Sequence, residues 1–119
     1  MRFFNRIPQI TPPELARRRA AGDALVLLDV REPMELRYAS LGDGVELAPL
    51  SRLAALGIQA LPASVVNDKT AEIVVICHHG NRSAQVTTWL QQQGWTNVLN
   101  LTGGIDAYAR QVDPSVGSY

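Results

Sequence analysis

The sequence predicts an α/β domain, a mostly parallel central sheet with helices on both faces. Residues 24–30 (ALVLLDV) and 72–77 (EIVVIC) are short continuous apolar runs. Such runs mark strands buried on both sides, as in a parallel sheet, rather than the in–out alternation of a half-exposed strand. Between the runs lie segments with helix starts and stops, and a strand–helix–strand order closes through right-handed crossovers. The length of 119 residues, 46% of them hydrophobic, suffices for one core without disulfides or metals. One domain is expected over residues 1–119, its core about 10–112, followed by a short C-terminal tail.

The elements follow in order. Thr11-Pro12-Pro13-Glu14 reads as a helix start: Thr11 caps, Pro12 loses no hydrogen bond in the first turn, and Glu14 completes a capping box. Gly22 ends that helix. The first buried strand, 24–30, leads to Glu32-Pro33, which opens a short helix to about Tyr38. Gly42-Asp43-Gly44 is a turn before a short strand at 45–47. Ser51 is expected to cap a helix carrying Leu53, Leu56 and Leu61. The second buried strand, 72–77, ends in a loop at 78–81. A helix runs from Arg82 to Gln93 and stops at Gly94. A third strand at 97–101 precedes a helix at 105–112, with Gly103-Gly104 as a turn.

Charge and cysteine content exclude several classes. Eleven basic residues balance eleven acidic ones, which gives no electrostatic footprint for nucleic acid or an anionic membrane as partner. Ten of the eleven basic residues are arginine. Arg17, Arg18 and Arg19 read as a solvated helix face. Cys77 is the only cysteine, so no internal disulfide and no oxidising compartment are implied. No run reaches the ~18 apolar residues of a membrane span. Residues 1–10 lack the apolar core of a signal peptide, and a cytoplasmic protein is expected. Nothing in the sequence specifies an oligomeric state.

The chemistry concentrates in Cys77-His78-His79-Gly80-Asn81-Arg82-Ser83. In an open α/β sheet, ligands bind beyond the carboxyl ends of the strands, which is where Cys77 falls. A free cysteine taken alone is most often a small buried hydrophobe. Here a helix starts just after it, so loop N–H groups can converge on the sulfur and the helix N-terminus adds partial positive charge. Both favour the thiolate, which is the nucleophilic form. Gly80 exposes its amide and reaches conformations closed to other residues. Arg82 offers a cation or a two-pronged anion contact.

Cys77-x-x-Gly80-x-Arg82-Ser83 resembles the active-site loop of the single-domain rhodanese-like sulfurtransferase family. Leu28-Asp29-Val30-Arg31-Glu32-Pro33-x-Glu35 is similar to that family's first-strand signature, and the segment from Asn97 through Gly103-Gly104-Ile105 to Tyr108 is similar to its closing one. The resemblance spans roughly residues 10–110 in order and spacing. It departs at 39–45, where the family usually shows Gly-His-Ile-x-Gly-Ala, and in the His78-His79 pair, which leaves the choice of donor open. The resemblance implies a rhodanese-like fold and a sulfurtransferase that carries sulfur as a Cys77 persulfide. The substrate-binding loop would be His78, His79, Gly80, Asn81, Arg82 and Ser83. The partners implied are a small anionic donor such as thiosulfate and a thiol, protein or cyanide acceptor, with no metal and no cofactor.

Other residues carry plainer expectations. Adjacent loop histidines point in different directions, so at most one of His78 and His79 faces the site, and two histidines are too few for a zinc centre. Asn81 and Ser83 are expected to shape the loop and cap the helix. Asp29 and Arg31 are expected to form a bracing ion pair. Trp89 and Trp95 are expected to pack in the core. Three other functions compete: a persulfide carrier for a protein partner, a regulatory binding module without turnover, and a phosphatase or arsenate reductase. The last two enzyme classes share the implied fold but place five residues between Cys and Arg. Here four intervene.

Overall fold

The computed structural model describes residues 7–119, so the first six of the ten N-terminal positions read above lie outside the described residues. The strands are β1 (Gln9–Ile10), β2 (Val26–Asp29), β3 (Val45–Leu47), β4 (Ile73–Ile76) and β5 (Val98–Leu101). They form one sheet in the order β1-β5-β4-β2-β3, and every pairing is parallel. The helices are α1 (Pro12–Ala20), α2 (Leu50–Leu56), α3 (Ala63–Val66), α4 (Asn81–Gln92) and α5 (Gly104–Gln111). The fold is α/β with a fully parallel central sheet, as the continuous apolar runs predict.

Side chains of the central strands alternate between two cores. Leu28, Ile73, Val75 and Val98 face Leu53, Val65, Val86 and Leu90 from α2, α3 and α4. Leu27, Val74 and Ile76 face Leu15 of α1 and Ile105 and Tyr108 of α5. All four residues of β4 are fully buried, because this strand is covered on both faces and flanked by β2 and β5. Cys77 follows it directly and packs in the first cluster.

Local chemistry sets the ends. Thr11 Oγ1 accepts the Glu14 amide at 3.3 Å at the start of α1, and Gly22 follows its end with φ +77°. Glu35 Oε2 accepts the Glu32 amide at 2.8 Å. The segment after Pro33 is a 3-10 helix, Pro33–Arg37, not an α-helix. Trp95 is buried and its indole N–H donates to Val65 O at 2.9 Å; Trp89 lies half-buried beside the same core.

Two local expectations are corrected, and one strand was not foreseen. Ser51 does not cap α2. The cap position is Pro49, and the Ser51 hydroxyl donates to Glu32 Oε1 at 2.7 Å. The edge strand β1 is too short to leave a periodic signal; Asn100 and Thr102 donate their amides to Pro8 O and Ile10 O, each at 2.9 Å. The C-terminal segment is not a loose tail. A 3-10 turn, Pro114–Val116, returns the chain so that Ala39 bridges Gly117. Among the described residues no helix is long and apolar enough to cross a membrane.

The expected Asp29–Arg31 pair is present and wholly buried. Arg31 Nε and Nη2 donate to the Asp29 carboxylate at 2.8–3.1 Å, and Nη2 also donates to Ala39 O at 2.9 Å. The guanidinium thus fastens the end of β2 to the crossover that follows it. Removing the carboxylate strands a buried cation, at a cost of roughly 3–5 kcal/mol. Asp29→Ala is expected to lower urea stability by that amount. Loss of under about 1 kcal/mol would mean the pair contributes no more than a surface one.

Candidate active site

Cys77 sits one residue beyond β4, between the end of the sheet and the first turn of α4. It is 1% exposed. The Gly80 amide donates to Sγ at 3.1 Å. Gly80 is the cap residue of α4, with φ +99°. A Cβ there would stand 3.1 Å from Gly103 N and 3.4 Å from Leu101 O. The position therefore requires glycine on two counts, a left-handed backbone and the close approach of the β5–α5 turn. The twelve-residue helix α4 directs its N-terminal partial positive charge at this loop.

Ser83 is fully buried and does not cap the helix. It stands at the third helical position on the inward face. Its Oγ lies 3.2 Å from Cys77 Sγ and donates to Asn100 Oδ1 of β5 at 2.5 Å. Asn81 begins α4 and is exposed.

Arg82 is not free. Its Nη1 and Nη2 donate to Glu35 Oε2 and Oε1 at 2.8 and 2.9 Å, a two-pronged pair. Tyr119 Oη donates to the same carboxylate at 2.8 Å and accepts from Arg31 Nη1 at 3.0 Å. A continuous chain therefore runs Asp29–Arg31–Tyr119–Glu35–Arg82, from the buried end of β2 to the cysteine loop. Glu35 and Tyr119 are site residues that sequence reasoning did not single out. Glu35 stood in the first-strand signature without a role. Tyr119 is separated from its partner Glu35 by 84 positions and left no signal.

The Arg82 guanidinium holds the Glu35 carboxyl down to about 2, against the partial burial that opposes it. The folded-state value lies below the ordinary 4.5. The pair's stabilisation is therefore full above that ordinary value and is lost as pH falls through about 2. The melting temperature of the native protein is expected to fall more steeply across this window than that of Glu35→Gln. Parallel curves would mean the pair is already broken in solution.

The two histidines differ in exposure, but contrary to the expectation that adjacent loop histidines point apart, their rings stack on one another. His78 is half-buried, His79 exposed. The His78 ring stacks on Tyr119 at 3.8 Å and 6°, and on His79 at 3.8 Å and 27°. Burial, and then the neighbouring His79, hold His78 below the ordinary imidazole value. His78, His79 and Asp106 bring ligand atoms within 4.8 Å of one another. Arg110 Nε and Nη2 both donate to Asp106 Oδ2, at 3.2 and 3.0 Å.

Helix α5 closes the site from behind. Ile105 and Asp106 donate their amides to Cys77 O and His78 O at 2.9 and 3.0 Å. Gly104, with φ +64°, lies against those same carbonyls. It is a point of close approach, beyond the turn the sequence suggested.

Known proteins resemble this chain in sequence and fold. The Rhodanese-like domain model matches residues 11–111. A protein called sulfurtransferase from Allochromatium vinosum is 34% identical over 110 residues, 92% of this chain and 95% of its own length. Rhodanese-like/PpiC domain-containing protein 12, chloroplastic, from Arabidopsis thaliana is 42% identical over 97 residues, 82% of this chain. The match spans only 31% of that longer relative. A rhodanese-related protein from Thermoplasma volcanium superposes with a TM-score of 0.70 at 30% identity, covering 88% of this chain and 93% of that one.

Proposed function

The chain belongs to the family of rhodanese-like domains, and we propose that it is a sulfurtransferase that carries a sulfane sulfur on Cys77. The observation that supports this most is the placement of the only cysteine. Its sulfur lies past the central strand, receives a loop amide and faces the start of a helix. That is the environment of a nucleophilic thiolate.

The reaction runs in two displacements. The Cys77 thiolate attacks the outer sulfur of thiosulfate. The sulfur–sulfur bond of the donor breaks, and its electron pair leaves with sulfite. The charge now rests on the outer sulfur of a Cys77 persulfide, within the loop of His78, His79, Gly80, Asn81, Arg82 and Ser83. Cyanide or a thiolate acceptor then attacks that outer sulfur, and Cys77 departs as thiolate. Loop amides and the helix N-terminus offset the anionic charge in both steps. No metal, cofactor or second cysteine enters the balance. A cytoplasmic setting fits a thiol that must stay reduced.

The test is intact mass. Exposure to thiosulfate is expected to add one sulfur atom to the protein, and cyanide or a thiol reductant to remove it. No gain with thiosulfate or mercaptopyruvate would overturn the reading. A second reading, a carrier that serves a protein acceptor, has support in the chloroplastic relative, where the matching segment is a fraction of a longer chain. It would show the mass gain with slow release to cyanide.

Arg82 can contact an anionic donor only with the N–H groups that Glu35 leaves unused. Arg82→Ala is expected to raise KM for thiosulfate about tenfold, the worth of one charge-assisted hydrogen bond, and to change KM for a neutral organic trisulfide much less. Equal changes would leave Arg82 as a brace for the loop alone.

A further inference from the structure

We infer that Asn100 is a positioning residue for the reactive sulfur. It claims the Ser83 hydroxyl proton, so that Ser83 meets Cys77 Sγ as an acceptor rather than as a donor. The inference rests on the sulfurtransferase reading for its purpose, though not for its geometry.

Asn100 does not touch the sulfur. It grips both groups that do. Its Nδ2 donates to Gly80 O at 3.3 Å, and Gly80 N–H donates to Sγ at 3.1 Å. Its Oδ1 accepts from Ser83 Oγ, which stands 3.2 Å from Sγ. The amide cannot turn over. Gly80 O is a carbonyl and only accepts, so Nδ2 must face it and Oδ1 must face Ser83. The second Nδ2 hydrogen goes to Gln9 Oε1 at 3.1 Å. Because Nδ2 only donates, Gln9 must present Oε1 there, and the Thr102 hydroxyl donates to the same oxygen at 2.9 Å.

A serine hydroxyl has one proton. Asn100 is fully committed, buried at 4% exposure, and has no other donor for Oδ1. The proton therefore sits between Ser83 and Asn100, and an Oγ lone pair faces Sγ. The directed chain is Cys77 S–H to Ser83 Oγ–H to Asn100 Oδ1. A negative charge on Sγ meets that lone pair. To receive a hydrogen bond from Ser83 it must take the proton away from Asn100, leaving a buried carbonyl bare. Ser83 therefore gives no hydrogen bond to charge on Sγ, which is left to the Gly80 amide and the start of α4. Loading sulfur eases this conflict, because the charge moves one atom beyond Sγ.

Two measurements on the full chain test the proton's position. Cys77 is the sole cysteine, so the S–H infrared stretch is a single band. In the wild type it is expected at the low frequency of a donating thiol, and Ser83→Ala is expected to move it to that of a free thiol. The thiolate absorbance is then titrated in the ultraviolet. Ser83→Ala is expected to shift the midpoint downward, by about threefold in the thiol's ionisation constant. Asn100→Leu is expected to lower the midpoint further when Ser83 is present than in the Ser83→Ala background, since loosening of Gly80 is common to both. An unmoved S–H band, an upward shift in Ser83→Ala, or simple additivity of the two substitutions would overturn the inference. Failure of wild-type protein to gain sulfur would instead overturn the sulfurtransferase reading and leave the S–H result standing.

Discussion

Cys77→Ser is expected to abolish sulfur loading completely while leaving the fold in place. The sulfur sits among buried groups that suit a hydroxyl equally well. Gly80 N–H can donate to the serine oxygen and Ser83 Oγ can accept from it. The loss of stability should stay within about 1–2 kcal/mol, the ordinary range for a single buried change. The chemical loss has no such limit. An alcohol is not ionised near neutral pH. No second cysteine exists to take over. Intact mass after thiosulfate, and thiocyanate formation with cyanide, are expected to fall to the protein-free level. Residual loading above that level would move the nucleophile away from Cys77.

Gly104→Ala is expected to damage stability and the site together. The new Cβ would lie 2.4 Å from His78 O, 2.5 Å from Cys77 O and 2.5 Å from His78 C. All three are backbone atoms, so no side chain can swing aside. The position also has φ +64°, a conformation that costs an alanine about 1 kcal/mol before any contact. Relief requires pulling α5 away from the cysteine loop, which breaks the Ile105 and Asp106 bonds to those carbonyls. A loss above about 4 kcal/mol is expected by urea denaturation. Gly22→Ala serves as the control, with φ +77° and nothing within 4 Å of the added methyl. Its cost should be only the conformational one. Equal losses for the two variants would rule out the steric argument.

The sequence was most legible where one segment carries its own signal. The runs at 24–30 and 72–77 foretold central parallel strands because burial on both faces leaves no polar alternation. Thr11 and Gly22 marked the start and end of α1 through chemistry local to a few residues. The cysteine loop was legible for the same reason, being contiguous. What stayed hidden depends on pairs far apart in the chain. Asn100 meets Ser83 across 17 positions, and Tyr119 meets Glu35 across 84. Nothing in the local sequence around Tyr119 distinguishes a docked aromatic from a solvated tail. Ser83 illustrates a subtler limit. A serine in the first turn of a helix normally reads as a cap, and only the helix's rotation about its axis turns this one inward to the sulfur. Ser51 failed as a cap for a related reason, since Glu32 on another segment takes its hydroxyl.

The order of strands in the sheet has a consequence for how the chain acquires its reactivity during synthesis. As the polypeptide emerges, β2 and β3 can pair first, and β4 can join β2 as soon as residues 73–76 appear. Cys77 leaves the ribosome at that moment with Gly80 and Ser83 close behind, yet Asn100 is still to come. The β4–β5 pairing must wait for residues 98–101, and the first strand, made earliest, has no neighbour until that same event. Parallel pairings of such long separation form slowly. The nascent chain therefore passes through an interval in which its thiol is exposed and its guiding amide is absent. Completion of β5 joins β4 and β1 in one step, turning an indiscriminate thiol into a governed one late in synthesis.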